Sequence, residues 1–280
     1  MKRLRPRFIW PISTLFIVAI GGLLLRPAAE RYQTLEGEIF ATDYRIIYRA
    51  DSSLELSPQQ IQSAIDLALD RIDWIASTWK DASELSRYNR AEDKAAFPLS
   101  EELATLLKHS NEIVQLTDGA FNIEYKKGVL DLSGIAKGYA VDQIAEYLGT
   151  TLAIDSYLVD IGGEVKAQGV NAKGAPWRVG IFIPPEHASI TPPRVELKDS
   201  AIATSGSYFK GDHIIDPATG EAVINPLLSA SVINPSGTTA DALATALYVM
   251  GLEQGMDWAR QHQLRAIFIL EDGRIFHVGD

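Results

Sequence analysis

The sequence predicts an α+β fold, and three observations carry that prediction. Apolar residues recur at helical spacing in some segments and alternate in others. The two kinds of segment do not follow a regular strand–helix–strand order. Turn signals such as Asp216-Pro217-Ala218-Thr219-Gly220 punctuate them, with proline fixing φ early and glycine closing the turn. A chain of 280 residues is long enough for one or two domains with a stable core.

Residues 1–33 form a separate segment. Lys2, Arg3, Arg5 and Arg7 precede an uncharged apolar run from Phe8 to Leu25, and Arg26 follows. The run is near the lower limit for a spanning helix and longer than a typical signal-peptide core. It reads as an uncleaved signal anchor, with a cleaved signal as the alternative. Pro27 makes a poor cleavage site. The basic end stays in the cytoplasm, which puts residues 34–280 on the outer side of the membrane. Without the five positive charges up to Arg26 the formal charge moves from −10 to −15. So acidic a domain excludes ordinary nucleic-acid binding. The chain has no cysteine, which rules out disulfides, thiol nucleophiles and thiolate metal sites.

Glu36–Arg49 reads as strands around a tight turn, with Tyr44, Ile46 and Tyr48 alternating. Ser57-Pro58 starts a helix through Trp74, striped by Ile61, Ile65, Leu69 and Ile72. Ser77–Asn89 reads as loop and turn. Ser100 begins a second helix, ending at Thr117-Asp118-Gly119. Val129–Leu132 is a short apolar strand that turns at Ser133-Gly134 into an amphipathic helix. Ala140, Ile144 and Leu148 line that helix and Gly149 ends it.

A strand, a small-residue turn and a helix N-terminus together form a natural anion site. Lys137 sits in the first turn, where the dipole disfavours a cation. Either a negative ligand relieves that conflict or the ammonium reaches into water.

Tyr157–Val165 is read as a strand running through Gly162-Gly163, a pair that serves either close backbone approach or a hairpin. Trp177–Ile183 is a strand, and Pro184–Pro193 a proline-rich loop. Ala201–Thr204 leads to a turn at Ser205-Gly206. Thr239 caps a helix over Ala240–Met250. On it Asp241 and Thr245, four apart, share a face and supply hard oxygen donors suited to Mg²⁺. The plain alternative is that Asp241 complements the dipole and Thr245 fills space. Ala266–Leu270 and a hairpin at Glu271-Asp272-Gly273 close the chain. No G-x-G-x-x-G, P-loop or G-x-S-x-G is present, which weakens Rossmann, NTPase and hydrolase readings.

Eight stretches in order resemble the ApbE family of FAD:protein FMN transferases. They are Ser77–Asn89, TDGAF at Thr117–Phe121, DLSGIAKGYAVD at Asp131–Asp142 and VDIGGEV at Val159–Val165. PWRVGI at Pro176–Ile181, ATSG at Ala203–Gly206, HIIDPATG at His213–Gly220 and DALATAL at Asp241–Leu247 complete the set. Each is weak alone, and their order is specific.

The resemblance implies two packed α/β subdomains with FAD between them, and transfer of FMN to a protein Ser/Thr hydroxyl with release of AMP. It implies FAD contacts at Phe40, Trp79, Ala120, Phe121, Asn122, Asp131, Lys137 and Ile215. It implies Mg²⁺ on Asp241, Thr245 and the Gly134 carbonyl. His213 is the candidate general base; a lone histidine is otherwise usually structural. The implied acceptors are flavin-carrying subunits of membrane redox complexes, of the Na⁺-translocating NADH:quinone reductase or Rnf type. The implied location is a bacterial inner membrane, with residues 34–280, the flavin transferase domain, facing the periplasm.

The chain departs from the family pattern in four places, one of them Asn122, where the family more often has aspartate. Phe40-Ala41-Thr42 stands where the family has Met-Gly-Thr, and Trp79 where it often has tyrosine. Only Ile123–Leu130 stand where it usually has several dozen residues that help wall the FAD site. Two rivals follow: hydrolysis of FAD to FMN and AMP, and a membrane-anchored flavin-binding or assembly protein without catalysis.

Overall fold

The computed structural model describes residues 31–50, 54–206 and 214–279. The membrane-anchor expectation for residues 1–33 therefore lies almost wholly outside the described residues, as does His213. Among the described residues no helix is long and apolar enough to cross a membrane.

The architecture is mixed α and β. Strands β1 (Arg31–Ile39) and β2 (Thr42–Ala50) form a hairpin, turned by Phe40 and Ala41 at φ 54° and 58°. Positive φ at both central residues is the hairpin turn that matches strand twist. Helix α1 (Pro58–Ala76) follows, with Ser57 and Gln60 forming a reciprocal capping box. Its buried stripe is Ile61, Ile65, Leu69 and Ile72, each contributing roughly 1.5–3 kcal/mol of burial.

Part of the expected loop at Ser77–Asn89 is instead a short helix, α2 (Glu84–Arg90), capped by Ser83. Helix α3 (Glu101–Leu116) is capped by Ser100 as expected. Strands β3 (Glu124–Lys126) and β4 (Val129–Leu130) make a minimal hairpin, so the expected strand to Leu132 stops two residues early.

Helix α4 (Ala136–Glu146) does not end at Gly149. It widens into a π turn over Tyr147–Thr151, and the Leu152 N–H donates to the Tyr147 carbonyl. Strands β5 (Tyr157–Ile161) and β6 (Glu164–Gln168) pair across Gly162-Gly163, which settles that glycine pair as a hairpin turn. Strand β7 (Trp177–Gly180) is shorter than expected and pairs with β8 (Arg194–Leu197).

Strand β9 (Ser200–Gly206) carries Ser205-Gly206 as paired strand rather than turn, opposite Ala230 and Ser229 of β10 (Leu227–Asn234). Helix α5 (Gly237–Gln261) begins at Ser236, not Thr239. It kinks at Gly251, where φ is 75°, and continues well past Met250. Strands β11 (Arg265–Leu270) and β12 (Ile275–Val278) finish the fold.

Eight strands make one antiparallel sheet in the order β1-β2-β5-β6-β9-β10-β11-β12. The two expected subdomains therefore share a continuous sheet. Helices cover one face in two adjoining clusters. Ile46, Tyr48, Val159 and Ile161 pack under α1 and the Ala140–Val141–Ile144 face of α4. Ala203, Ala230, Val232 and Phe268 pack under α5 and α3. The β7–β8 hairpin covers the opposite face through Trp177, Val195 and Leu197.

Candidate functional site

The site grows from the place where the first turns of α4 and α5 touch. A Cβ on Gly138 would lie 2.3 Å from the Gly237 carbonyl oxygen and 2.6 Å from Asp241 Cβ. Only glycine lets the two backbones come this close. One carboxylate clamps the crossing. Asp142 Oδ1 accepts from the Gly237 N–H at 2.8 Å and Lys166 Nζ at 2.6 Å. Its Oδ2 accepts from Ser236 Oγ, the Thr238 N–H and Thr238 Oγ1 at 2.7–2.9 Å. Asp142 thus satisfies the free N–H groups of α5, which fixes the helix start at Ser236 rather than Thr239.

One turn further along α5, Asp241 is 3% exposed and its Oδ2 accepts from the Gly138 N–H at 2.9 Å. Three further N–H groups of the α4 entry are also engaged. Ser133 donates to Asp131 Oδ1 at 2.8 Å, and Ile135 and Ala136 donate to the Leu132 carbonyl. Part of the expected anion cradle is therefore filled from within, with Asp241 on the Gly138 N–H. Among the described residues Asp241 Oδ1 accepts no hydrogen bond. Burial pushes this carboxyl above its ordinary range, against the pull of Lys137 and the Gly138 N–H.

Thr245, four residues on, shares a hydrogen bond with Ser205 Oγ at 3.0 Å. It also abuts Gly134, whose Cβ position would fall 3.2 Å from Thr245 Oγ1. Asp241, Thr245 and Gly134, chosen from sequence, thus converge on the α4–α5 crossing. Ser205, expected to present its N–H to phosphate from a turn, joins them instead through its hydroxyl. Its signal lay in the alternation of β9, where Ala201, Ala203 and Ser205 face α5.

Lys137 neither reaches freely into water nor awaits a ligand for its counter-charge. Its Nζ lies 2.6 Å from Glu164 Oε2. Burial would lower its pKa, but Glu164, Asp241 and Asp160 hold the ammonium above its ordinary value. Burial likewise pushes the Glu164 carboxyl up, and Lys137 pulls it back. Glu164 was not singled out from sequence; its partner is set by the β5–β6 register.

The remaining expected contacts are placed unevenly. Phe40 is half-buried at the β1–β2 turn and packs on the α1–α4 cluster. Thr42, the first residue of β2, lies against Gly162, so the β1–β2 and β5–β6 turns are neighbours. Asp131 braces the turn before α4. Ala120 is half-buried, and exposed Asn122 accepts from the Glu124 N–H.

Phe121 is 2% exposed; it joins the core and its ring seats Gly134. Trp79 is 90% exposed on the loop after α1, which excludes core packing; the structure does not bring it against the other site residues. Ile215 pairs with Ala222 in an isolated bridge that frames the Asp216–Gly220 turn. The family model named "ApbE family" matches residues 40–129 and 124–268. The two matches meet at the short β3–β4 hairpin.

A curated FAD:protein FMN transferase of Vibrio cholerae serotype O1 is 32% identical, over 91% of this chain and 93% of its own. One from Salmonella typhimurium is 28% identical, over 89% and 87%. Among solved structures, the flavin transferase ApbE from Vibrio cholerae has a TM-score of 0.81 at 30% identity, covering 89% of this chain and 97% of its own. The apo flavinyl transferase ApbE of Pseudomonas stutzeri has a TM-score of 0.79 at 25% identity, covering 89% and 94%. Fold and site thus define a protein of the flavin-transferase class. The chain belongs to the ApbE family.

Proposed function

We propose that this chain transfers FMN from FAD to a Ser/Thr hydroxyl of an acceptor protein. The acceptor oxygen bonds to the FMN-side phosphorus, the bond to the AMP phosphate breaks, and AMP leaves. The hydroxyl proton passes to His213, the proposed base. The observation that carries the reading is the convergence of Asp241, Thr245 and Gly134 at the α4–α5 crossing. Family membership supports it.

The donor set fits Mg²⁺. Asp241 offers a carboxylate oxygen that accepts no hydrogen bond from the described residues, Thr245 a hydroxyl and Gly134 a backbone carbonyl. Among the described residues no group of three or more His, Asp or Glu is placed to hold a metal, so the site relies on mixed donors. When bound, Mg²⁺ supplies positive charge against the charge developing on phosphate oxygens. Lys137, a third exposed, opens from the α4 start toward the same space and binds phosphate. Trp79, Phe40 and Ile215 contact the flavin side, and Asp131, Ala120 and Asn122 the adjoining wall.

FAD lies between the two halves of the sheet's helical face. The domain is tethered by residues 8–25 to a bacterial inner membrane and works on the periplasmic side. Its acceptors are flavin-carrying subunits of complexes of the Na⁺-translocating NADH:quinone reductase or Rnf type. The short β3–β4 hairpin favours one second reading, a flavin-binding protein without turnover.

One incubation separates these readings: FAD, Mg²⁺ and a candidate acceptor domain, followed by intact mass and AMP release. Transfer adds one FMN to the acceptor for each AMP. AMP without a mass gain indicates FAD hydrolysis. Neither product, with FAD still bound, indicates the binding protein.

A further inference from the structure

We propose that Glu164 is a positioning residue that keeps Lys137 off the Asp241 carboxylate and so keeps the Mg²⁺ position open. The inference rests on the transferase reading above.

Glu164 is the first residue of β6, directly after the Gly162-Gly163 turn, and is 2% exposed. Its Oε2 is fully buried and accepts no hydrogen bond of normal geometry; the 2.6 Å ion-pair contact with Lys137 is what holds it. An isolated buried carboxylate is strongly unfavourable, so this side chain is retained for its partner. The pair is oriented. The glutamate side chain is 2% exposed and the lysine side chain 32%, so the lysine is the member of the pair that reaches the surface.

Lys137 has a second buried carboxylate within electrostatic reach, Asp241, and a third neighbour in Asp160. Asp160 is already engaged, its Oδ1 accepting from the Gly163 N–H at 3.1 Å, with Arg45 nearby. Asp241 Oδ1 is open. A flexible lysine next to an open buried carboxylate will pair with it unless something holds the ammonium elsewhere. Such a pairing would cover the oxygen a cation needs. Glu164 provides the competing site. It also fixes four side-chain torsions before FAD arrives, so binding loses less rotamer freedom.

The test titrates MgCl₂ into wild type, Glu164→Gln, Glu164→Asp and Glu164→Gln/Lys137→Met in the presence of FAD. Calorimetry reads FAD binding and a thermal melt reads folding. Glu164→Gln is expected to raise the Mg²⁺ concentration for half-maximal FAD binding about tenfold, within the range for coupled neighbouring charges. Excess Mg²⁺ should restore binding. Glu164→Asp, too short to hold the ammonium in place, should fall between.

In the double variant no lysine remains to block Asp241. Its Mg²⁺ midpoint should return toward wild type even though FAD binds more weakly. A purely structural role for Glu164 predicts lower melting temperatures with an unchanged Mg²⁺ midpoint, and that result overturns the proposal. So does a double variant whose midpoint stays as high as the single. If wild type itself shows no Mg²⁺-dependent FAD binding, the transferase reading fails and this inference with it.

Discussion

Asp241 accepts a hydrogen bond from the Gly138 N–H at 2.9 Å, across the closest contact between α4 and α5. That bond makes the metal-ligand candidate and the helix proposed to hold the phosphate parts of one unit. Its carboxylate stands at the positive end of α4, where the dipole stabilises negative charge. One oxygen is thereby fixed, which orients the other, and among the described residues that other oxygen accepts no hydrogen bond.

Asp241→Asn separates the metal role from the structural one. The amide oxygen can still accept from Gly138, so the crossing should hold. Burial raises the Asp241 carboxyl, so its charged form opposes folding at neutral pH when no cation is present. The neutral variant should therefore melt at or slightly above the wild-type temperature in EDTA. Mg²⁺ should no longer strengthen FAD binding, and transfer should be lost. Full transfer in this variant removes the metal assignment.

Gly138→Ala tests the crossing itself. The added methyl meets backbone at 2.3 Å, so α4 and α5 must part. Overpacking of this kind costs about 1–3 kcal/mol, offset by up to about 1 kcal/mol of helix propensity. The expected net loss is about 1–2 kcal/mol in urea unfolding, with Mg²⁺-dependent FAD binding weakened beyond what the folded fraction explains. A stabilised Gly138→Ala with normal Mg²⁺ response would show that the close crossing is not what aligns Asp241.

Sequence reasoning succeeded where the signal is local. Ser57 and Ser100 cap the helices they were read to cap, because an N-cap and its stripe lie within one window. It failed where a distant residue decides. Ser236, Thr238 and Thr239 are all plausible caps; Asp142, far back in the chain, binds Ser236, Gly237 and Thr238 together and selects the start. The α2 stretch, Glu84-Leu85-Ser86-Arg87-Tyr88-Asn89-Arg90, is too short and polar to show a period. The Asp241–Thr245 pair was legible from its spacing of four. Ser205 and Glu164 were not, because strand register alone carries them to Thr245 and Lys137.

The Asp142 clamp should appear in the pH dependence of stability. Burial alone would raise this carboxyl. Lys166 and the N–H groups of Thr238 and Gly237 reverse that and hold it below its ordinary value. A carboxyl depressed by folding stabilises the fold when ionised. The contribution is fully present above the ordinary carboxylate pKa of about 4 and is lost as pH falls through the lower folded value. Asp142→Asn should cost about 2–4 kcal/mol at pH 7, since Lys166 and the α5 N-terminus lose their charged acceptor. Urea midpoints of the two proteins should converge as pH drops below 3.8. A deficit that stays constant down to acid pH would mean that shape, not charge, holds the clamp.

Trp79 offers the cleanest separation of binding from folding. Its side chain is 90% exposed, while the loop beneath it is secured elsewhere. Ser83 Oγ donates to the Ser77 carbonyl at 2.6 Å and Ser86 Oγ to the same oxygen at 3.2 Å. Removing the indole should therefore leave stability within about 0.5 kcal/mol, as for other surface changes. An aromatic pair contributes about 0.5–1.5 kcal/mol beyond burial, so Trp79→Ala should weaken FAD binding by about three- to tenfold. Trp79→Tyr should recover most of it, because the flat face rather than the indole N–H makes the contact. Flavin quenching of tryptophan fluorescence should be smaller in Trp79→Phe than in wild type. Unchanged FAD affinity in Trp79→Ala would remove this residue from the flavin site and leave its exposure to be explained by contact with the acceptor protein.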